Sequence, residues 1–191
     1  MDHSAALLTR AARETFARYG VRRSTMADVA KAAGVVRQTV YNTVSSRDEL
    51  VELAIVQCCE ELKEHLTTAG AGDPDDVDEA LLAFLMRAVD TASTHTELNE
   101  LNAALPADRV KELFGHSHPI EELIRETARP VLERAKSAGR LRGDTTVDEA
   151  GRWIQGVLTF ALLHDAARGG QLEHVLRTFA LPSVLTDVAH D

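Results

Sequence analysis

The sequence predicts an all-α protein on three observations. Alanine and leucine dominate the apolar residues and only 4% of residues are aromatic, a mix that favours helix. Five prolines and eleven glycines are too few for a strand-and-turn protein of 191 residues. Apolar residues recur at every third to fourth position over most of the chain, and no segment alternates with confidence in the way that a strand requires.

The first 43 residues predict three helices in close succession. Apolar residues keep helical spacing up to Gly20, which ends the first helix. Thr25 and Asp28 form a pattern close to a capping box and open the second helix. Gly34 ends that helix after about two turns, and a short third helix follows at about residues 36–43.

Two further capping boxes are expected later in the chain, one at Ser46 and Glu49 and one at Thr146 and Glu149. Glycines within residues 70–72 mark the clearest linker. The remaining helices are expected at about residues 46–68, 74–94, 119–139, 146–168 and 171–182, with a less regular region at 95–118.

The second and third helices have the spacing of a helix-turn-helix. A small residue, Ala30, suits the point where the two helices cross, and Gly34 suits a turn with positive φ. Val40 would anchor the third helix in the core. Ordinary helical hairpins share this spacing, so it leaves a purely structural role open.

The polar residues of the third helix favour contact with nucleic acid. Arginine can address guanine, and glutamine or asparagine adenine, in the major groove of DNA. Threonine and tyrosine suit backbone phosphates. Residues with such hydrogen-bonding side chains lie on or beside this helix at Arg37, Gln38, Thr39, Tyr41 and Asn42.

Charge is distributed unevenly. The net charge is −9, yet residues 1–50 hold eight Lys and Arg against five Asp and Glu, and residues 51–191 hold thirteen against twenty-five. A basic head on an acidic body fits a head that meets phosphate, although chance asymmetry is an alternative. Arg47 stands in the first turn of a helix, where the dipole disfavours a cation. A bound phosphate would explain it, and so would ordinary solvation.

Three runs of residues, taken together, are similar to the N-terminal domain of the TetR family of bacterial repressors over about residues 6–51. These runs are Ala11-Ala12-x3-Phe16-x2-Tyr19-Gly20, Ser24-Thr25-Met26-x-Asp28-Val29-Ala30-x2-Ala33-Gly34-Val35 and Thr39-Val40-Tyr41-x5-Arg47-x2-Leu50. The rest of the chain shows only a generic helical pattern.

The resemblance implies an all-α fold of about nine helices, with a three-helix helix-turn-helix DNA-binding domain at residues 1–50. A helical ligand-sensing and dimerisation domain would occupy residues 51–191. The implied function is that of a ligand-responsive repressor, which binds a palindromic double-stranded DNA operator as a homodimer and is released by a small-molecule effector. No enzyme activity and no cofactor are expected.

The family motif also implies site residues in the head. Backbone phosphates would be contacted by Thr25, Thr39, Tyr41 and Arg47, and bases by Arg37, Gln38 and Asn42. The sequence departs from the motif at three positions. Val36 replaces a capping Ser and would leave the third helix less firmly preset or touch a thymine methyl. Gln38 replaces a small residue, and Val44 replaces a Phe, which trims the core of the head.

Candidates for the effector site and the dimer interface come from the acidic body. Pocket candidates are Phe84, His95, Phe114, Trp153 and Gln155, with the only tryptophan as the best candidate for a wall. Dimer candidates are Phe160, Leu163 and His164 on the penultimate helix and Leu172, Val175, Leu176 and Phe179 on the last. Core packing within one chain is the alternative for the apolar residues, and capping or solvation is the alternative for His95.

Other functions find little support in the sequence. His116 and His118 lack a nearby Cys or carboxylate, so no metal site is expected. Cys58 and Cys59 are adjacent, which favours neither a disulfide nor redox sensing in an apolar run. Residues 153–163 are too few to span a bilayer, and the chain starts without a signal pattern, so a cytoplasmic protein is expected. A helical enzyme or carrier, and a scaffold that binds protein partners, remain the alternatives.

Overall fold

The computed structural model describes residues 3–68, 76–163 and 171–186. Within these ranges the regular elements are helices, and strand-like pairing is limited to an isolated antiparallel bridge between Leu141 and Leu185. The predicted all-α fold is therefore confirmed. The expected linker at 70–72 lies outside the described residues, as does the expected break between the helices at 146–168 and 171–182. No described helix is both long and apolar enough to cross a membrane.

The helix bounds are close to the predicted ones. In chain order the elements are α1 His3–Tyr19, a 3₁₀ turn Val21–Arg23, α2 Met26–Ala32, α3 Arg37–Thr43, α4 Arg47–Thr68, α5 Val77–Thr94, α6 Thr96–Ala103, α7 Ala107–His116, α8 His118–Ser137, α9 Val147–Leu163, α10 Leu172–Val175, a π-helical turn Leu176–Ala180 and α11 Leu181–Val184.

The stretch at 95–118 is more regular than expected, because it contains α6 and α7. Both helices are short, and neighbouring residues in the sequence satisfy the N-terminus of each. His95 caps α6 by accepting a hydrogen bond from the backbone N–H of Leu98 at 3.2 Å. Pro106 directly precedes α7, and its carbonyl accepts from Val110 at 3.1 Å. Breakers at this spacing limit helix length without removing helical structure.

The described helices form two compact units. The first consists of Met1–Glu60 with His95–Val110, and the second of Glu61–Thr94 with Lys111–Asp191. In the first unit α1, α2 and α3 pack on one another. Its largest fully buried side chains include those of Leu8, Val29, Leu50, Ile55, Leu98 and Leu101.

Ion pairs bind residues 95–110 to the N-terminal helices of the first unit. Arg13 on α1 makes a two-pronged contact with Glu97, with Nε to Oε1 at 2.7 Å and Nη2 to Oε2 at 2.8 Å. These hydrogen bonds hold the pKa of Glu97 below its ordinary value. Arg109 donates to Glu52 on α4 at 2.7 Å. Such forked pairs are geometrically specific, so they fix α6 against α1.

The core of the second unit is built from α5, α8, α9 and the last helical segment. Gly151 on α9 packs against α8, where a Cβ would lie 3.2 Å from Cγ of Arg125. Leu172 and Leu176, two of the predicted dimer residues, are buried in this core at 6% and 1% exposure. Their stripe packs inside the unit of a single chain, and a dimer contact by these two residues stays a prediction.

The positive φ of Gly34, in the turn after α2, can be tested by mutation. Gly34 has φ of +68° and open space around its missing Cβ, so Gly34→Ala costs stability through left-handed strain of about 1–2 kcal/mol. We expect thermal unfolding about 2–8 °C lower. Gly115→Ala is the matched control, because Gly115 lies in α7, also in open space but without positive φ. The control should be neutral or slightly stabilising, and equal losses in both variants would contradict the strain argument.

Candidate nucleic-acid interface

A complete capping box begins α2. The backbone N–H of Thr25 donates to Asp28 Oδ2 at 2.9 Å, and the N–H of Asp28 donates to Thr25 Oγ1 at 3.3 Å. The hydrogen bonds from Thr25 hold the pKa of Asp28 below its ordinary value. The predicted box is therefore present, and it fixes the first turn of α2.

The turn from α2 to α3 is a Schellman motif. Gly34 takes the left-handed conformation, its N–H donates to the carbonyl of Lys31 at 3.3 Å, and the N–H of Val35 donates to that of Ala30 at 3.0 Å. These bonds satisfy carbonyls that the end of α2 would leave free. The direction in which α3 leaves the turn is thereby set by the backbone.

Helix α3 presents a polar face to solvent. Val40 is its only fully buried residue, at 0% exposure, whereas Arg37, Gln38, Tyr41 and Asn42 are exposed. Val36 stands at the N-cap position, makes no side-chain capping bond and is 69% exposed. Helix α3 therefore lacks the side-chain cap that a serine at position 36 would supply. Val36 lies beside the polar face.

The exposed side chains of α3 form two pairs, each linking positions four residues apart. The Arg37 guanidinium donates to the Tyr41 hydroxyl at 3.1 Å and lies 5.3 Å from the centre of the Tyr41 ring. This hydrogen bond raises the pKa of Arg37. Gln38 donates to Asn42 Oδ1 at 3.0 Å. The pairs hold a guanidinium and a side-chain amide next to each other, the chemistry that base edges of DNA accept.

Arg47 makes contacts that its sequence position did not reveal. Its guanidinium donates to the carbonyls of Val21 and Ser24 in the segment before α2. Backbone carbonyls therefore offset the unfavourable dipole at the start of α4. The capping box predicted at Ser46 and Glu49 is formed in part. The N–H of Glu49 donates to the Ser46 hydroxyl, but the Glu49 carboxylate accepts from the N–H of Ser45 instead of Ser46.

A basic cleft at the end of α1 was not foreseen from the sequence. It is lined by Arg18, Tyr19, Gly20, Arg23 and Asp28. The Arg18 guanidinium lies 5.2 Å from the centre of the Tyr19 ring. The sequence does contain a cluster of arginines just before Thr25, but it does not show which of them line a common cleft.

The predicted pocket residues lie in different surroundings. Phe84, Phe114 and Gln155 are buried in the second unit, where the Gln155 amide donates to the Phe114 carbonyl at 3.3 Å. Trp153 is 54% exposed and donates through Nε1 to Ser183 at 2.6 Å. His95 belongs to the first unit and caps α6. The capping alternative for His95 is therefore the one that the structure shows.

Three large aromatic side chains remain exposed on the second unit. Trp153 and Phe160 are seven residues apart on α9 and are each 54% exposed, and Phe179 in the π-helical turn is 67% exposed. Leu163 and Val175, also predicted for the dimer interface, are partly buried. His164 lies outside the described residues. Large apolar patches on a protein surface often mark interaction sites, and these three side chains are the largest exposed apolar groups of the described part of this unit.

The two cysteines lie in α4. Cys58 is buried, with its Sγ 3.6 Å from Nδ1 of His95. Burial raises the pKa of the Cys59 thiol to about 12. A thiol with so high a pKa stays protonated near neutral pH and reacts slowly with oxidants.

The geometry defines a class of protein: a helix-turn-helix head with an exposed polar third helix, followed by a second helical unit. The sequence comparison agrees, since residues 8–54 match the model for "Bacterial regulatory proteins, tetR family". The chain therefore carries, at residues 8–54, an N-terminal DNA-binding domain like that of the TetR family.

Individual relatives match to different extents. The HTH-type transcriptional regulator TtgR of Pseudomonas putida is 37% identical over 73 residues, which are 38% of this chain and 34% of that protein. The match thus spans about a third of the relative's length. RolR in complex with resorcinol has a TM-score of 0.72 at 18% identity and covers 96% of this chain and 88% of its own. A TetR-family regulator from Pectobacterium atrosepticum has a TM-score of 0.69 at 18% identity, covering 97% and 95%. The two solved structures therefore share the fold of this chain.

The missing cap on α3 gives a second prediction. Val36 has the extended backbone that an N-cap residue adopts, so Val36→Ser supplies an acceptor for a free N–H and stabilises the protein by about 1 kcal/mol. Urea unfolding would show a higher midpoint with an unchanged slope. Val36→Ala removes the same exposed side chain without adding an acceptor, and a gain of equal size in that control would rule out capping as the cause.

Proposed function

We propose that this protein is a ligand-responsive, DNA-binding transcriptional regulator of the repressor type. In this proposal a homodimer binds a palindromic operator, and a small-molecule effector releases it. The observation that carries the proposal is the exposed polar face of α3, held at a fixed turn by Gly34 and anchored by Val40. A rigid helix with donors aimed outward is what insertion into a major groove requires.

The side-chain chemistry of α3 indicates which of its residues would contact bases and which would contact phosphates. Arg37 suits guanine, and Gln38 and Asn42 suit adenine, while Tyr41 holds the guanidinium of Arg37 and can also reach a phosphate. Thr25, Thr39 and Arg47 would contact phosphates of the DNA backbone, and Val36 would contact a thymine methyl. Because Arg47 already donates to two carbonyls, its larger part is to fix the segment that precedes α2.

The homodimer is supported by the aromatic surface of the second unit. Trp153 and Phe160 share one side of α9, and the hydrogen bond from Trp153 to Ser183 brings the last helical segment beside them. We assign Trp153 to this surface together with Phe160 and Phe179, since all three are more than half exposed. Covering them with a second copy removes large apolar areas from water.

An effector site is proposed in the second unit, among Phe84, Phe114 and Gln155. The Gln155 amide and the Thr159 hydroxyl both donate to the Phe114 carbonyl, so polar groups lie beside a buried aromatic residue. Binding sites for small molecules usually combine these features. The structure of RolR with its ligand resorcinol supports an effector of small-molecule size. An effector acts by its differential affinity for two states of the protein.

DNA binding is tested by fluorescence anisotropy with duplexes that flank the gene of this protein, at 50 mM salt. Arg37→Ala should weaken specific binding by about 1–3 kcal/mol, which is about 5- to 150-fold, because a bidentate base contact is lost. Lys136→Ala, an exposed cation on α8 of the second unit, is the control and should bind like the wild type. Absence of binding by the wild type to every such duplex would overturn the proposed function.

The dimer is tested by sedimentation equilibrium. Phe179→Glu places a charge on an apolar contact and should shift the protein from dimer to monomer, because a carboxylate buried without a partner is costly. Thr178→Glu adds the same charge at the neighbouring exposed position and should leave the dimer largely intact. A Phe179→Glu variant that remains a dimer at micromolar concentration would show that this aromatic surface is not the interface.

A further inference from the structure

The basic cleft at the end of α1 has no role in the function described so far. Gly20 ends α1 with φ of +84°, which turns the chain so that Arg18 and Arg23 line the same open space. Both side chains are exposed. The Tyr19 ring, 5.2 Å from the Arg18 guanidinium, limits the directions in which that guanidinium can point.

The charge of the cleft favours an anion. Its one carboxylate, Asp28, is engaged by the backbone N–H and the hydroxyl of Thr25 at 2.9 and 2.6 Å. Two guanidinium groups therefore face one carboxylate whose acceptor capacity is partly used. Guanidinium groups bind phosphate with two parallel hydrogen bonds, and their charge persists at every relevant pH.

The neighbouring arginines of the first unit have other partners. Arg22 donates to the Ala103 carbonyl at 2.7 Å, and Arg13 is paired with Glu97. Among the described residues, no side-chain hydrogen bond or ion pair engages Arg23. Two arginines that are adjacent in the sequence thus have different surroundings. Arg22 is hydrogen-bonded to the backbone of its own unit, and Arg23 lines the cleft.

The cleft adjoins the proposed DNA contacts. It shares Asp28 with the capping box of α2, whose Thr25 is a proposed phosphate contact, and α2 packs directly on α3. We propose that Arg18 and Arg23 bind a backbone phosphate of the operator in this cleft, outside the base pairs that α3 contacts. The inference rests on the proposed function and extends the footprint of each head along the DNA backbone.

A phosphate contact has a signature that distinguishes it from base recognition. It contributes to binding of any duplex, and it contributes to the dependence of affinity on salt, with a slope of about 0.9 per phosphate neutralised. Arg18→Gln combined with Arg23→Gln should therefore weaken specific and non-specific duplexes by the same factor, about tenfold or more. The slope of log affinity against log salt should become shallower by about one for each head that binds.

The experiment compares four proteins by anisotropy titration between 50 and 200 mM salt: the wild type, the double Gln variant, Arg18→Lys combined with Arg23→Lys, and a control in which Lys111 and Lys136 of the second unit are both replaced by Gln. The Lys variant restores the charge and should recover most of the slope. The control loses the same two charges and should keep the slope of the wild type. Thermal unfolding of each variant checks that the head is folded.

The outcomes separate this inference from the proposed function. If the wild type binds and Arg37→Ala loses specificity, but the double Gln variant keeps the wild-type slope, then the cleft does not bind phosphate and the proposed function stands. Loss of specific binding alone in the double variant would also overturn the inference. An equal change in the Lys111 and Lys136 control would assign the effect to net charge. Inorganic phosphate that binds the wild type in calorimetry, together with an unchanged DNA slope, would show a site for the free anion and would overturn the operator contact.

Discussion

The proposed function depends on how a helix of seven residues is held in place. A helix as short as α3 is not stable on its own in water, and Val36 supplies no side-chain cap. Its position is set by the backbone hydrogen bonds of the turn at Gly34 and by one fully buried side chain, Val40. Both supports lie on the side of the helix that faces the unit. The opposite side is therefore free to carry polar residues, whose pairs add only a little to helix stability and which can be selected for recognition.

Six arginines of the first unit fall into two groups that net charge cannot separate. Arg13, Arg22 and Arg47 donate to groups of their own unit and stabilise it. Arg18, Arg23 and Arg37 are exposed and line the cleft or the polar face of α3. The excess of positive charge in the head fits phosphate contact, which the second group can supply without breaking a bond to a carbonyl or a carboxylate. Arg47 illustrates the distinction: its position in the sequence suggested a phosphate or ordinary solvation, and in the structure its guanidinium donates to two carbonyls.

Features set by neighbouring residues could be predicted from the sequence, and features set by distant residues could not. The Thr25–Asp28 box and the Gly34 turn involve residues at most five positions apart, so their chemistry is visible in a short window. Arg13 and Glu97 are 84 positions apart, and no local pattern reveals such a pair. The stripe at Leu172 and Leu176 was visible, but an apolar stripe does not identify its partner, and here the partner is the core of the same unit.

Helix α9 serves two surfaces at once, which bears on how an effector could act. Ile154, Gln155 and Leu158 are buried on one side, while Trp153 and Phe160 are exposed on the other. In the proposed function the buried side borders the effector and the exposed side borders the second copy. A close-packed helix moves as a unit, because neighbouring side chains leave it few alternative positions. Displacing Gln155 would therefore also displace Trp153, so occupancy of the site and packing of the dimer would be coupled through one rigid element.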